Sequence, residues 1–294
     1  MRTVAAFIRL SRLKFLIGGI AGFAVGIAAA AFEGRAVTPA AYALGQALVT
    51  AFQLMVHYAN DYFDRAADAR SVRTPYSGGS GALVDGSLAP GVALAAAAAC
   101  AGAGLAATVG FAAGRNVPAA VLGASIGLLA WFYSAPPLRL LASGFGEAVT
   151  ALVVGVLVPL LGAAAAGALD RLALLACAPL AFAMFAMMLA VEWPDVAADA
   201  ATGKRNLIVR FGRRFAGGAA QVAAGLAPAA VLLAGLAAAV PANALYAAVL
   251  AVPALRFAAA FGPATPAATV ARRGVAFYVF TALCTLAAFV RPLR

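Results

Sequence analysis

The chain alternates long apolar stretches with short polar connections. A helix needs about 20 apolar residues to cross the hydrocarbon core of a bilayer. Nine stretches reach or approach that length, with boundaries at 15–32, 39–58, 90–113, 117–133, 145–167, 172–191, 215–240, 242–255 and 275–290. Most are rich in alanine and glycine, which favour close packing between membrane helices. The pattern predicts an all-α integral membrane protein, a bundle of about nine transmembrane helices.

Composition excludes several classes of protein. Of 294 residues, 65% are hydrophobic and 11% are charged, and the mean hydropathy is +0.98. Soluble domains are about half apolar and about a quarter charged, so a cytosolic enzyme is excluded. The net charge of +11 does not indicate nucleic-acid binding in so apolar a chain. The three cysteines stand apart in apolar runs, which argues against a zinc site or disulfide framework.

The N-terminal region has two interpretations. Four basic residues precede an apolar stretch that ends in a run of alanines, a pattern that also resembles a signal peptide. The length of the stretch, and basic residues that continue to its edge, favour a first membrane helix.

Basic residues indicate the orientation of the chain. With nine spans, 16 of the 21 Lys and Arg residues lie on the side of the N-terminus. The positive-inside rule therefore predicts a cytoplasmic N-terminus and an outside C-terminus, in the inner (cytoplasmic) membrane. Eight of the ten acidic residues also lie on or beside the cytoplasmic side, which topology alone does not require.

A first acidic cluster follows the second apolar stretch and consists of Asn60, Asp61, Asp64 and Asp68. If the helix continues, spacings of three and four residues place the three aspartates on one face. Like charges repel there unless a cation lies between them, and carboxylates suit Mg²⁺. The alternative is a solvated helix end with scattered acids. Ionisable residues beside a membrane span favour the functional interpretation.

A second acidic cluster, Asp195 and Asp199, follows the sixth apolar stretch, and four-residue spacing again predicts a shared face. Glu192 precedes it, either as a further ligand or as the partner of an arginine. A polar loop with basic residues follows each cluster. The loop after the first cluster contains Arg73, and the loop after the second contains Lys204. Carboxylates, a metal ion and basic loops together predict a cage for a diphosphate.

These segments resemble the UbiA-type superfamily of intramembrane prenyltransferases over nearly the whole chain. The first cluster matches the NDxxDxxxD motif of that family and the second matches DxxxD. Residues 133–139 with 144–147, residues 12–14 and residues 199–212 resemble further family segments. Within the family, the chain is most similar to the branch that prenylates 1,4-dihydroxy-2-naphthoate in menaquinone biosynthesis, and Gln53 fits that branch. The chain differs from the motifs that are usual in this family or branch at four positions: Leu13, His57, Glu192 and Pro194.

The resemblance implies a single transmembrane prenyltransferase domain over residues 1–294, with its active-site cavity open to the cytoplasmic side. It implies a polyprenyl diphosphate donor, an aromatic acceptor and Mg²⁺ as cofactor, with no nucleic acid or protein partner. Metal ligands would be Asn60, Asp61, Asp64, Asp68, Asp195 and Asp199, and among them Asp61, Asp64 and Asp195 would be catalytic.

Further roles follow from the same resemblance. Asn60, Arg73, Lys204 and Arg12 would bind the diphosphate, and Arg139 would hold the carboxylate of the acceptor or anchor its loop. Tyr133 would be catalytic by facing the allylic cation with its ring, or else would be an aromatic residue of the membrane interface. His57, the single histidine, is either a hydrogen-bonded packing residue, the interpretation that we favour, or a catalytic residue.

Two other classes of protein remain alternatives at this stage. A cation-coupled transporter would bind its ion through the same aspartates, although such sites lie near the bilayer midplane. A non-catalytic membrane subunit would not need its acidic residues. Within the family, alternative acceptors are 4-hydroxybenzoate, haem, chlorophyll or tocopherol precursors, and a glycerol derivative.

Overall fold

The computed structural model describes residues 2–238, 243–262 and 264–289, which form helices and connecting turns without a strand. The first half contains α1 (Arg2–Ser11), α2 (Leu16–Phe32), α3 (Pro39–Asp68), α4 (Pro90–Ala113), α5 (Val117–Ser134), α6 (Gly146–Leu152) and α7 (Val158–Ala165). The second half contains α8 (Arg171–Val191), α9 (Val196–Ala201), α10 (Leu207–Ala238), α11 (Asn243–Ala258) and α12 (Ala267–Ala288).

Nine helical segments in the described part of the chain are long and apolar enough to cross a membrane. This confirms the predicted all-α membrane fold. The fifth span consists of α6 and α7, joined by a π-helical turn over Val153–Leu157. The predicted ends at 240, 242 and 290 lie outside the described residues.

Three helices extend well beyond the predicted apolar stretches, among them α10, which begins at Leu207 and not at 215. Helix α3 continues ten residues past 58, because residues 59–68 contain neither glycine nor proline and remain compatible with a helix. Helix α12 begins at Ala267, eight residues earlier than predicted, and includes two arginines. Hydropathy marks where the apolar surface ends, whereas the backbone continues into the polar region.

The helices form two packed cores with a cavity between them. Residues of α1–α5 and α7 form the first core, which includes the fully buried Phe23 and Leu48. Residues of α8 and α10–α12 dominate the second core, which includes Leu189 and Phe257. A smaller cluster joins α2 to α8 and the end of α12. Helix α2 is thus an integral part of the bundle, in agreement with a first membrane helix.

Two glycines allow α2 and α7 to approach backbone to backbone. A Cβ added to Gly26 would lie 1.8 Å from the carbonyl oxygen of Pro159, and one added to Gly162 would lie 2.3 Å from that of Phe23. Only residues without side chains permit this contact, which is the usual role of glycine at membrane helix interfaces.

The substitution Gly26→Leu is expected to destabilise the protein by about 3 kcal/mol or more, because the side chain has no room unless α2 and α7 separate. The measurement is the thermal unfolding midpoint in detergent. Gly102→Leu is the matched control, since Gly102 lies in a helix with no atom within 4 Å of an added Cβ. Equal midpoints for the two variants would contradict the packing described for Gly26.

Candidate active site

The first acidic cluster lies on the last turns of α3. Asn60, Asp64 and Asp68 line the cavity between the two cores, since residues four apart share a helix face. Asn60 Nδ2 donates to Asp64 Oδ2 at 2.8 Å and to Ser134 Oγ at 3.3 Å. This contact holds the polar end of α3 against the end of α5.

Asp61 points in a different direction from the other members of the first cluster. It is 2% exposed and does not line the cavity. The guanidinium of Arg12 and the hydroxyl of Ser80 both contact its carboxylate, and the backbone N–H of Ser80 donates to Oδ2 at 3.2 Å. In the structure, Asp61 therefore joins three segments of chain beside the cavity. Asn60, Asp64 and Asp68 form the face of α3 that lines the cavity. The prediction that all three aspartates share this face is therefore not met at Asp61.

The second acidic cluster lies where α8 ends and the short α9 begins. Asp195 and Asp199 both line the cavity, on the side opposite α3. Asn206 is fully buried, and its Nδ2 donates to Asp199 Oδ2 at 2.9 Å. The side chain of Asn206 also accepts from the N–H of Val209 at the start of α10, so this residue connects Asp199 to the next span.

Lys204 joins the two acidic clusters. Its Nζ lies 2.9 Å from Asp64 Oδ2 and 3.1 Å from Asp199 Oδ1. Burial opposes the charged form, but Asp64 and Asp199 together raise the pKa of Lys204 above its usual range. Carboxylates from the two halves of the bundle therefore converge on one cationic group.

A glycine-rich loop, residues 70–81, covers the carboxylates. The N–H of Gly78 donates to Asp195 Oδ2 at 3.0 Å. Gly79 has a φ of +68°, and a Cβ there would lie 2.1 Å from Asp68 Oδ2, so only glycine allows this approach. Burial, followed by the charge of Asp199, raises the pKa of Asp195 to about 6. Burial is also the main cause that raises the pKa of Asp199.

The cavity has a polar end and an apolar end, and its volume is about 290 Å³. Five carboxylates and three cationic side chains line the polar end: Asp64, Asp68, Glu192, Asp195, Asp199, Arg12, Lys14 and Lys204. The remaining wall is mostly aliphatic or aromatic and includes Phe52, Ile126, Leu129, Val158 and Met184. Such a space accommodates a molecule with a charged head and a long apolar tail.

The carboxylates outnumber the cations, so the polar end suits additional positive charge. In the described part of the chain, no three Asp, Glu, His or Cys side chains are grouped as a preformed metal site. Lys204 instead lies between Asp64 and Asp199, at hydrogen-bond distance from both. Asp64 and Asp199 thus hold the ammonium group of Lys204 from opposite clusters. The two clusters are therefore suited to bind a positively charged group between them.

Two other predicted residues do not line the cavity. Arg73 is exposed, and its Nη1 donates to the carbonyl oxygen of Ser80 at 3.0 Å, which stabilises the glycine-rich loop. Arg139 is exposed on the turn after α5, with a φ of +43°. Tyr133 does line the cavity, as does the side chain of Thr150.

Sequence reasoning did not identify a buried carboxyl pair beside the second cluster. Glu147 is fully buried and its Oε1 accepts from the N–H of Leu207 at 2.6 Å. It also contacts Glu192, whose two oxygens accept no hydrogen bond from any residue that the structure describes. Burial, and then Glu147, raise the pKa of Glu192. In the sequence, Glu147 is distinguished only by its place in the segment 144–147, which resembles a segment of the prenyltransferase family.

Comparisons with known proteins agree with this architecture. The model of the UbiA prenyltransferase family matches residues 20–281. No curated protein sequence matches the chain.

Solved structures share the fold at low sequence identity. A UbiA homologue from Archaeoglobus fulgidus bound to GPP and Mg²⁺ is 16% identical, with 97% of this chain and 99% of that chain covered and a TM-score of 0.73. An apo UbiA homologue from Aeropyrum pernix K1 is 17% identical, with 92% and 96% covered and a TM-score of 0.70. A digeranylgeranylglyceryl phosphate synthase is 17% identical, with 98% and 99% covered and a TM-score of 0.68.

The family model covers most of the chain, including both acidic clusters and the helices that carry them. The chain belongs to the UbiA prenyltransferase family.

Proposed function

We propose that this protein transfers a polyprenyl group from a prenyl diphosphate to an aromatic acceptor, with Mg²⁺ as cofactor and 1,4-dihydroxy-2-naphthoate as the acceptor. The observation that carries the proposal is the convergence of Asp64 and Asp199 on Lys204 at the polar end of a largely apolar cavity. The similar fold of a homologue bound to GPP and Mg²⁺ supports the donor and the metal.

The proposed metal ligands come from both acidic clusters. Asn60, Asp64, Asp68, Asp195 and Asp199 line one end of the cavity and would hold Mg²⁺ together with the donor's diphosphate. Asp61, predicted as a further ligand, would act from outside the cavity wall by holding Arg12. When bound, Mg²⁺ neutralises the negative charge that develops on the diphosphate as the allylic C–O bond breaks.

The cationic side chains of the cavity would bind the diphosphate itself. Arg12, Lys14 and Lys204 line the polar end, and Lys204 is already positioned between the clusters. Arg73 would contribute through the glycine-rich loop that its guanidinium stabilises. The proposed role of Arg139 in holding the acceptor's carboxylate requires that the ligand reach the exposed turn after α5.

The reaction breaks one bond, forms another, and then releases a proton or CO₂ from the acceptor ring. The allylic C–O bond breaks with its electron pair passing to the diphosphate, and a ring carbon of the acceptor forms the new C–C bond. The ring then loses a proton, or CO₂ if the carbon that is attacked carries the carboxylate. The apolar wall excludes water that would capture the allylic cation, and Tyr133 would face that cation with its ring.

The location of the site follows from the proposed orientation. Both clusters lie at the ends of spans that the distribution of Lys and Arg assigns to the cytoplasmic side. We therefore propose a single domain over residues 1–294 in the inner membrane, with its cavity open to the cytoplasm. The N-terminus is cytoplasmic and the C-terminus is outside in this arrangement.

The acceptor is tested by incubating the purified protein with a labelled polyprenyl diphosphate, Mg²⁺ and separate acceptors. The panel contains 1,4-dihydroxy-2-naphthoate, 4-hydroxybenzoate, haem, homogentisate, chlorophyllide and a glycerol phosphate derivative. We expect product with the naphthoate, and at least about tenfold less with each other compound. Product with a different acceptor would contradict the branch assignment, while absence of product with all of them would contradict the proposed function.

A further inference from the structure

The diphosphate site does not account for His57, the single histidine of the chain. It lies on α3 one turn before Asn60 and Asp61, is 9% exposed and lines the cavity. One helical turn corresponds to about 5 Å, so its ring lies close to the first acidic cluster without belonging to either cluster.

The hydrogen bonds of His57 leave one ring nitrogen available. Nδ1 lies 2.9 Å from the carbonyl oxygen of Ser11, and because a carbonyl can only accept, Nδ1 carries the hydrogen. In the neutral imidazole Nε2 is then a hydrogen-bond acceptor. Nε2 has no hydrogen-bond partner among the described residues, and it is not among the fully buried polar atoms. Because His57 lines the cavity, we infer that Nε2 is accessible from the cavity.

The surroundings of His57 suit a flat aromatic molecule. The ring of Phe15 lies 6.2 Å from that of His57 and 6.2 Å from that of Tyr76, in edge-to-face arrangements. Gly18, which has no side chain, also lines the cavity. An aromatic ring beside one free acceptor nitrogen matches the chemistry of a hydroxylated aromatic ring.

We propose that Nε2 of His57 accepts a hydrogen bond from a ring hydroxyl of the aromatic acceptor. This inference rests on the proposed function and assigns a residue that selects hydroxylated acceptors. The hydrogen bond orients the ring so that its nucleophilic carbon faces the allylic carbon of the donor. It also increases electron density on the ring at the moment of attack.

Two substitutions separate the two nitrogens of His57. His57→Asn retains an amide N–H near the position of Nδ1, so the contact with Ser11 persists, but no atom replaces Nε2. His57→Gln instead extends an amide towards the position of Nε2. Steady-state transfer from a labelled prenyl diphosphate is measured with 1,4-dihydroxy-2-naphthoate and with its dimethyl ether, which cannot donate a hydrogen bond.

We expect His57→Asn to lower kcat/KM for the dihydroxy acceptor by about 10- to 100-fold, with the donor KM unchanged. The preference for the dihydroxy compound over its ether should fall by a similar factor in that variant and should remain near the wild-type value in His57→Gln. Tyr58→Phe is the control for a merely structural effect. Its hydroxyl lies 2.8 Å from Ser11 Oγ, so the variant disturbs the same segment without removing the imidazole.

The outcomes distinguish this inference from the proposed function. If the wild-type protein transfers the prenyl group and His57→Asn retains the wild-type preference for hydroxylated acceptors, the role of His57 is wrong. A raised donor KM as the main effect would also overturn it, because His57 would then bind the diphosphate. If the wild-type protein transfers to no aromatic acceptor, it is the proposed function that fails.

Discussion

Replacing Asp64 with asparagine is expected to lower the rate of prenyl transfer by about 10²- to 10³-fold without unfolding the protein. The Asp64 carboxylate contacts both Asn60 and Lys204 and lies where the two halves of the bundle meet. Asparagine has nearly the same shape but no charge, so the variant removes a proposed ligand of the metal while it preserves the packing. The measurement is the initial rate of product formation at saturating donor and Mg²⁺.

Asp85→Asn is the matched control for this prediction. Asp85 belongs to the same side of the bundle, but its side chain is 42% exposed and pairs with Arg9 outside the cavity. Its replacement should leave the transfer rate within about twofold of the wild type, as is usual for exposed charges. Similar losses in both variants would indicate a general electrostatic effect and would contradict the assigned role of Asp64.

Replacing Lys204 with methionine is expected to make the stability of the protein depend strongly on Mg²⁺. Lys204 neutralises Asp64 and Asp199, and both members of each pair are at most 12% exposed. Removal of one partner from a buried ion pair costs about 3–5 kcal/mol, because the remaining charges stay uncompensated. A divalent cation that binds between the carboxylates should restore much of this loss. The thermal unfolding midpoint with and without Mg²⁺ measures the effect.

Arg214→Met is the corresponding control, since Arg214 is an exposed cation of α10. Its midpoint should stay near that of the wild type and should not respond more strongly to Mg²⁺. If Lys204→Met unfolds at the wild-type temperature and Mg²⁺ does not raise its midpoint further, the two clusters are not coupled through this site.

The arrangement of the spans could be predicted from the sequence because the bilayer imposes both length and hydropathy on each helix. Spacings of three and four residues predicted a common face for Asp61, Asp64 and Asp68, but only Asp64 and Asp68 line the cavity, together with Asn60 one turn before Asp64. Asp61 shows the limit of such reasoning. An advance of one residue rotates a side chain by about 100° around the helix, and which of two adjacent residues faces the cavity depends on the neighbouring helices.

Loop residues could not be placed by periodicity. Lys204 and Arg73 both follow an acidic cluster and were predicted to bind the diphosphate, yet only Lys204 lines the cavity. Arg73 is directed towards the carbonyl of Ser80 by the turns of the glycine-rich loop, which no helical period describes. Glu147 was equally inaccessible to pattern analysis, because its partner Glu192 comes from a distant part of the chain.

We propose that one metal-dependent diphosphate site joins the two acidic clusters. The most direct measurement is the release of diphosphate from a labelled prenyl diphosphate by purified protein, with acceptor present and Mg²⁺ varied. We predict release that requires Mg²⁺, is abolished by EDTA, and is lost in Asp64→Asn and in Asp199→Asn alike. Release at the wild-type rate in EDTA, or in the double variant that lacks both carboxylates, would show that the two clusters do not form a metal-dependent diphosphate site.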